Sequence, residues 1–288
     1  MKTRKITGKF LNLEKDNNLF EIEIKNHYVW NYLRNEISDE LFASLQTHNV
    51  APERKSLKES TLNFLKDYLL PYITPARIDL KEIEYLIFNY GGSFKLVDGK
   101  YRNEVSYTLS RLLSKDHAIG VLESYGYANE LSHYPCEIFN ARPILLRKKL
   151  FSKFRKTTEQ ENQFIERIYQ IIFKEFDYEI SKKKYLTLLK ARIDLGDLWE
   201  GIFSKSNLKG IFYCQNGSMD EIIRAAKIKK IKSIELQHSV ISDLNPLYAY
   251  LSDSKNIYFN DYLLTWGHKW EKYSNSKIKK FTIGSINS

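Results

Sequence analysis

The stretch IEYLIFNYGG, residues 83–92, is an almost unbroken apolar run that stops at two glycines. A strand with one face in water alternates apolar and polar residues, whereas one covered on both faces does not. The run therefore predicts an interior strand of a parallel sheet. Outward from it the same profile recurs at HAIGVLES (117–124), GIFYCQ (210–215), IKSIELQ (231–237), DYLLTW (261–266) and FTIGS (281–285). Helical patterns fall between these runs, in EVSYTLSRLLSK (104–115) and SMDEIIRAAKIKK (218–230). Alternation of this kind predicts an α/β domain, a Rossmann-like, mostly parallel sheet flanked by helices.

Toward the amino end, LFEIEI (19–24) reads as a short strand, and YVWNYLRNEISDELFASL (28–45) as a helix with Val29, Leu33 and Ile37 at four-residue spacing. A second helix is expected in SLKESTLNFLKDYLL (56–70), ended by Pro71. VDGKY (97–101) carries an Asp-Gly turn signal. Residues 143–207 break the rhythm with long helices, a helical insertion. Within it Phe164, Ile168, Ile171, Ile172 and Phe176 share one face, the stripe of a helix that packs on a core.

A chain of 288 residues with 43% hydrophobic content has ample material for a core. Cys136 and Cys214 stand far apart with no metal-ligand spacing around them, so neither a disulfide framework nor a zinc or other metal site is expected. No run has the length of a signal peptide core or of a membrane span, which points to a cytoplasmic protein. The net charge of +10 favours anionic partners. Its sources are scattered, in RKKLFSKFRK (147–156), SKKKY (181–185), KIKKIKS (227–233) and KIKK (277–280). Solvated helix faces account for such clusters, and with no recognition motif a nucleic-acid partner is not expected. Peripheral contact with the inner membrane surface is the other reading of the charge.

In an open parallel sheet, ligands bind beyond the carboxyl ends of the strands. The segments there are NYGGS (89–93), ESYGY (123–127), CQNGS (214–218), LQHS (236–239) and TWGH (265–268). Their glycines let backbone amides approach a ligand. No G-x-G-x-x-G and no G-x-x-x-x-G-K-[ST] is present, which disfavours a nicotinamide enzyme and a P-loop NTPase. Ser218 and Glu221 have capping-box spacing, and a helix start after a strand also suits an anion. His238 stands beyond the apolar alternation of Ile234 and Leu236, where a histidine either packs in a turn or works as a base.

The stretch AAKIKKIKSIELQHSVISDLNPLYAY (225–250), followed by NDYLLTWGHKWEKY (260–273), resembles bacterial glycosyltransferases of the GT-B fold that build capsules, O-antigens and other surface polysaccharides. VWNYLRNEI (29–37) is similar to a W-x-x-x-R-x-E helix near their amino end, and FNYGGSFKLVDGKYRNEVSYTL (88–109) to their strand, loop and hairpin. The sequence departs from the pattern at Ser239 in place of glycine, Asn245 in place of histidine, Asn260 in place of proline and His268 in place of an acidic residue. The resemblance implies that residues 1–280 form the amino-terminal, acceptor-side domain, with 281–288 the start of a truncated or absent carboxyl-terminal domain that would hold the donor.

The implied activity is transfer of a sugar from a nucleotide sugar to a growing surface polysaccharide or lipid-linked glycan. The alternative is a non-catalytic binding subunit of an assembly complex, and sugar-nucleotide epimerases share the architecture. Transfer by inversion needs a base for the acceptor hydroxyl, and an imidazole titrates in the right range, which assigns His238 that role. Gln237, Ser239 and Tyr248 are expected to hold sugar hydroxyls, with Asn89, Gly91, Gly92, Ser218 and His268 around the same cleft. Strand alternation puts Glu235 on the side opposite His238, a structural position. No cofactor and no metal are expected, the nucleotide sugar and the glycan acceptor being the partners.

Overall fold

Seven parallel strands form one sheet in the order Lys279–Thr282, Tyr262–Thr265, Lys232–Leu236, Gly210–Tyr213, Tyr85–Phe88, Ile119–Glu123 and Glu137–Asn140. The computed structural model describes residues 2–46, 78–89, 94–97, 99–123, 134–214, 219–237, 241, 242, 245, 248–273 and 277–284. The helix expected at 56–70 lies outside them. In chain order the elements are α1 (Lys2–Asp16), β1 (Glu23–Ile24), β2 (His27–Tyr28), α2 (Trp30–Gln46), β3 (Tyr85–Phe88), β4 (Phe94–Val97), β5 (Lys100–Asn103) and α3 (Glu104–Leu113). They continue with β6 (Ile119–Glu123), β7 (Glu137–Asn140), α4 (Arg142–Phe154), α5 (Glu159–Phe176), α6 (Lys182–Phe203), β8 (Gly210–Tyr213), α7 (Asp220–Ile228), β9 (Lys232–Leu236), β10 (Tyr262–Thr265) and β11 (Lys279–Thr282).

Counted in order of appearance, the strands run 7-6-5-4-1-2-3 across the sheet, the Rossmann-like arrangement. Alternation along each strand sends side chains to two cores. Leu86, Phe88, Leu122, Ile211 and Tyr213 face the larger one, under α1, α2, α5, α6 and α7. Ile87, Val121, Phe212 and Leu236 face the smaller one, with Val105, Tyr107 and Leu109 of α3 packed against it. Both faces of β3 are covered, which is why its sequence shows no alternation. Gly99, with φ 73°, makes the turn of the β4–β5 hairpin, where a side chain would be strained.

The helical insertion replaces the single helix that usually links strands three and four of such a sheet. Asn140 Oδ1 accepts from the Arg142 amide and Pro143 sits in the first turn, so α4 starts at once after β7. A capping box, Thr158 with Glu161, starts α5, and Asp177 in the left-handed region (φ 51°) ends it. Glu161 is fully buried and also accepts from Arg155 (2.7 Å), whose Nε lies 3.2 Å from Asp194 on α6. The insertion is thus tied into one body by charge as well as by the predicted apolar stripe.

The amino-terminal helices show why the W-x-x-x-R spacing matters physically. Trp30 and Arg34 lie one turn apart on α2, and both bind Glu14 of α1: the indole Nε1 donates at 2.8 Å, the guanidinium Nε at 2.5 Å and Nη2 at 3.1 Å. Arg34 also donates to the Ala249 carbonyl (2.8 Å), and its plane lies 4.1 Å from the Tyr250 ring centroid. All three side chains are buried, so each satisfies groups that would otherwise be stranded away from water. LFEIEI departs from expectation: 19–21 is a 3-10 turn and only Glu23–Ile24 is extended, because Asn18 turns left-handed (φ 50°) and Leu19 and Phe20 fill the corner between α1 and α2.

Candidate functional site

The chain leaves β3 toward β6 and β7 on one side, and β8 begins the other side, with the connecting helices on opposite faces. Where the winding reverses, the carboxyl ends of β3 and β8 part and leave a crevice. A cavity of about 470 Å³ occupies it. Phe88 and Asn89 at the end of β3, Leu122 of β6, and Tyr213 and Cys214 at the end of β8 form its base; α4, α6 and the start of α7 form its walls. The walls are apolar at Leu145, Leu188, Leu195 and Ile222, and charged at Arg142, Lys149, Arg192, Glu221 and Glu36.

The polar groups in the crevice are held in place. Asn89 is buried, its amide N–H donates to Leu122 O (3.0 Å), and its Nδ2 donates to the buried Glu123 carboxylate (3.2 Å). Arg192 donates to Glu221 (2.7 Å) and lies 3.6 Å from Glu36. Burial works against the Arg192 charge, but Glu221 and Asp220 outweigh it and hold the guanidinium above its usual range. Burial, with Glu235 adding to it, pushes the Cys214 thiol up to about 12, which disfavours the thiolate. Behind the wall, the first residue of α7, Asp220, is pushed up to about 8 by burial, with Arg192 opposing and Glu221 reinforcing the shift. A pKa raised that far favours the neutral carboxyl group in the folded protein.

Of the residues singled out from sequence, Asn89 lines the crevice. Gln237 follows β9, two strands away from β3, or about 10 Å along the same edge. Its amide acts as a clamp: the Gln237 N–H donates to Leu264 O (2.9 Å) and its Oε1 accepts from Trp266 N–H (2.8 Å), tying β9 to β10. Tyr248 is buried and donates to the fully buried Glu235 (2.7 Å); burial and then Glu235 hold its phenol far above the usual range. This pair ties Tyr248 to β9 and gives Glu235 a structural part. His268 is exposed on a 3-10 turn after β10, 3.1 Å from Thr282 Oγ1 and 3.3 Å from Glu271, near the sheet edge. Gly91, Gly92, Ser218, His238 and Ser239 lie outside the described residues. Met219 is the N-cap of α7, and the Glu221 carboxylate that a capping box would use is bonded to Arg192.

Arg142 and Arg192 are crevice groups that sequence reasoning left aside, and Glu221 entered it only as a capping residue. Arg192 lies within ARIDLGDLWEG, where nothing in the local spacing marks it out from other helix cations. Among the described residues no group of three or more His, Cys, Asp or Glu is placed to hold a metal ion, and no helix is long and apolar enough to cross a membrane. Neither a scan against protein-family models nor a search of curated proteins returns a match for this chain. The protein is a Rossmann-like α/β domain with a part-apolar, part-charged crevice at its topological switch point.

Proposed function

We propose that the chain is a glycosyltransferase, or the acceptor-binding half of one, that moves a sugar from a nucleotide sugar to a growing surface polysaccharide or lipid-linked glycan. The crevice is the observation that carries the reading. It offers an amide, two guanidinium groups, an ammonium and two carboxylates within one cavity whose remaining wall is largely aliphatic and aromatic, a mixture that suits hydroxyl groups on one side of a sugar ring and C–H groups on the other. In this reading His238, the residue after the Gln237 clamp, takes the proton of the acceptor hydroxyl as that oxygen bonds to the anomeric carbon and the nucleotide phosphate departs. The sequence blocks around 234–248 and 260–270 support the same assignment.

The reading also sets the protein at the membrane surface where lipid-linked glycans are built, and α4 supports that. Phe151 and Phe154, one turn apart, are 56% and 79% exposed. The helix around them carries Arg142, Arg147, Lys148, Lys149 and Lys153 and no acidic residue. Exposed aromatic rings flanked by lysines match an anionic bilayer surface in both chemistry and charge.

A second reading, a binding subunit without transferase activity, is favoured by the use of Gln237 and Tyr248 as internal braces. One assay separates the two: the complete gene product is incubated with a panel of sugar nucleotides and oligosaccharide acceptors, and nucleotide release is followed. Transfer predicts acceptor-dependent release that His238→Ala lowers by about 10²-fold or more. Release unchanged by that substitution removes His238 from the chemistry, and acceptor binding with no release from any donor selects the second reading.

A further inference from the structure

Two basic clusters far apart in sequence meet at the amino edge of the sheet. KIKKIKS runs from the end of α7 into β9, and KIKK runs into β11, with β10 between them. In the β10–β11 register Tyr262 stands opposite Lys279, and in the β9–β10 register it stands opposite Ile234, so Lys232 and Lys279 flank the start of β10 from both sides. A cavity of about 310 Å³ lies there, lined by Lys227, Lys232, Lys255, Lys277 and Lys279, with Asp261 the single carboxylate among its lining residues. That volume is about ten water molecules' share of liquid.

The local charge is poorly balanced. One oxygen of Asp261 accepts from Ser233 N–H (2.9 Å) and Ser233 Oγ (3.0 Å), and the other is 3.9 Å from the Lys232 ammonium. Lys277 donates to the Asp253 (2.7 Å) and Ser254 (3.3 Å) carbonyls, which fixes its ammonium at the rim. Lys227, though exposed as a residue, turns its ammonium in toward Ile257 O (3.5 Å). Removal from water and then the nearby Lys277 charge lower its pKa, with Asp261 opposing. Five cations and one carboxylate around one depression leave a surplus of positive charge that solvated surface lysines, pointing apart, do not create.

We propose that this cavity is a binding site for a multiply charged phosphate anion of the diphosphate class, separate from the crevice at the opposite edge of the sheet and independent of the sugar-transfer reading. Lys232, Lys255 and Lys279 supply exposed ammonium groups, and Lys227 and Lys277 supply ones held by backbone carbonyls. A point-charge cluster of lysines selects for total charge, so a diphosphate is preferred over a single sulfate.

The test is calorimetric titration of the full chain with inorganic pyrophosphate, and with sodium sulfate at matched ionic strength. A free diphosphate is expected to bind with one-to-one stoichiometry and at least tenfold more tightly than sulfate, and to raise the melting temperature. Lys232→Ala with Lys279→Ala, both exposed and remote from the core, should weaken binding at least tenfold, while Lys182→Ala with Lys183→Ala on α6 leaves it unchanged. Pyrophosphate binding no tighter than sulfate, or equal losses in both double variants, overturns the proposal. Vesicles carrying a phosphomonoester headgroup form a further arm: capture there that the Lys232/Lys279 pair abolishes, without pyrophosphate binding, overturns the free-diphosphate assignment.

Discussion

Replacing Asp220 by asparagine should stabilise the protein at neutral pH and leave it nearly unchanged below about pH 4. The carboxyl group is buried at the first position of α7, and its pKa rises from 3.8 to about 8. Because the folded value lies above the unfolded one, the stability associated with the protonated form is fully present below pH 3.8 and is lost as the pH rises toward 8. Each pH unit in that window costs up to about 1.4 kcal/mol. Between about pH 5 and 7.5 the parent protein should therefore lose about 3 kcal/mol relative to Asp220→Asn, less up to about 1 kcal/mol that the helix N-terminus returns to the ionised form. Urea denaturation of both proteins at pH 5, 6, 7 and 8 measures the gap directly. A difference that widens with pH and levels off above about pH 8 supports the reasoning. A gap independent of pH, or a parent more stable than the variant at pH 8, shows that the carboxylate is ionised and paired in the folded state.

Gly196→Ala should be destabilising, since a Cβ there would sit 2.8 Å from the ring of the fully buried His27 and 3.0 Å from the Tyr32 hydroxyl; a melt should reveal a loss of about 1–3 kcal/mol. Arg192→Met leaves the buried Glu221 carboxylate without its 2.7 Å partner, and chemical denaturation should show a cost of about 3 kcal/mol or more, with weaker ligand binding in the crevice. Trp30→Phe keeps most of the ring but removes the donor to Glu14, for about 1–3 kcal/mol by the same assay. Phe151→Ser with Phe154→Ser should lower sedimentation with anionic vesicles several-fold at unchanged melting temperature, and retained binding would dismiss α4 as the membrane-facing element.

The alternation of elements was legible because the interior strands lack polar alternation and the long helices keep a 3.6-residue stripe. EIFN, which became β7, was not: it is four residues at the sheet edge, with Glu137 exposed and only Phe139 buried, so it carries neither a two-face nor a one-face signature. The helix α1 begins KTRKITGKF, whose mixed lysines and isolated apolar residues gave little periodic contrast until Phe10 and Leu13 met Trp30 and Leu33. The strand-end rule picked out Asn89, which lines the crevice, and Gln237, which does not, because position after a strand is readable locally. It could not say that Gln237 is a clamp, since Trp266 is its partner across the sheet. Arg192 with Glu221, Glu14 with Arg34, and the lysines that converge on the β9–β11 edge join residues distant in sequence, and only the fold brings them together.

The central claim, a glycan site at the switch point between β3 and β8, is tested most directly by hydrogen exchange of the protein with and without saturating oligosaccharide acceptors. Slower exchange confined to Asn89, residues 142–149 of α4 and 219–222 at the start of α7 is the result predicted from the crevice. Protection at other surfaces with none in these segments, or no change with any acceptor, would contradict it.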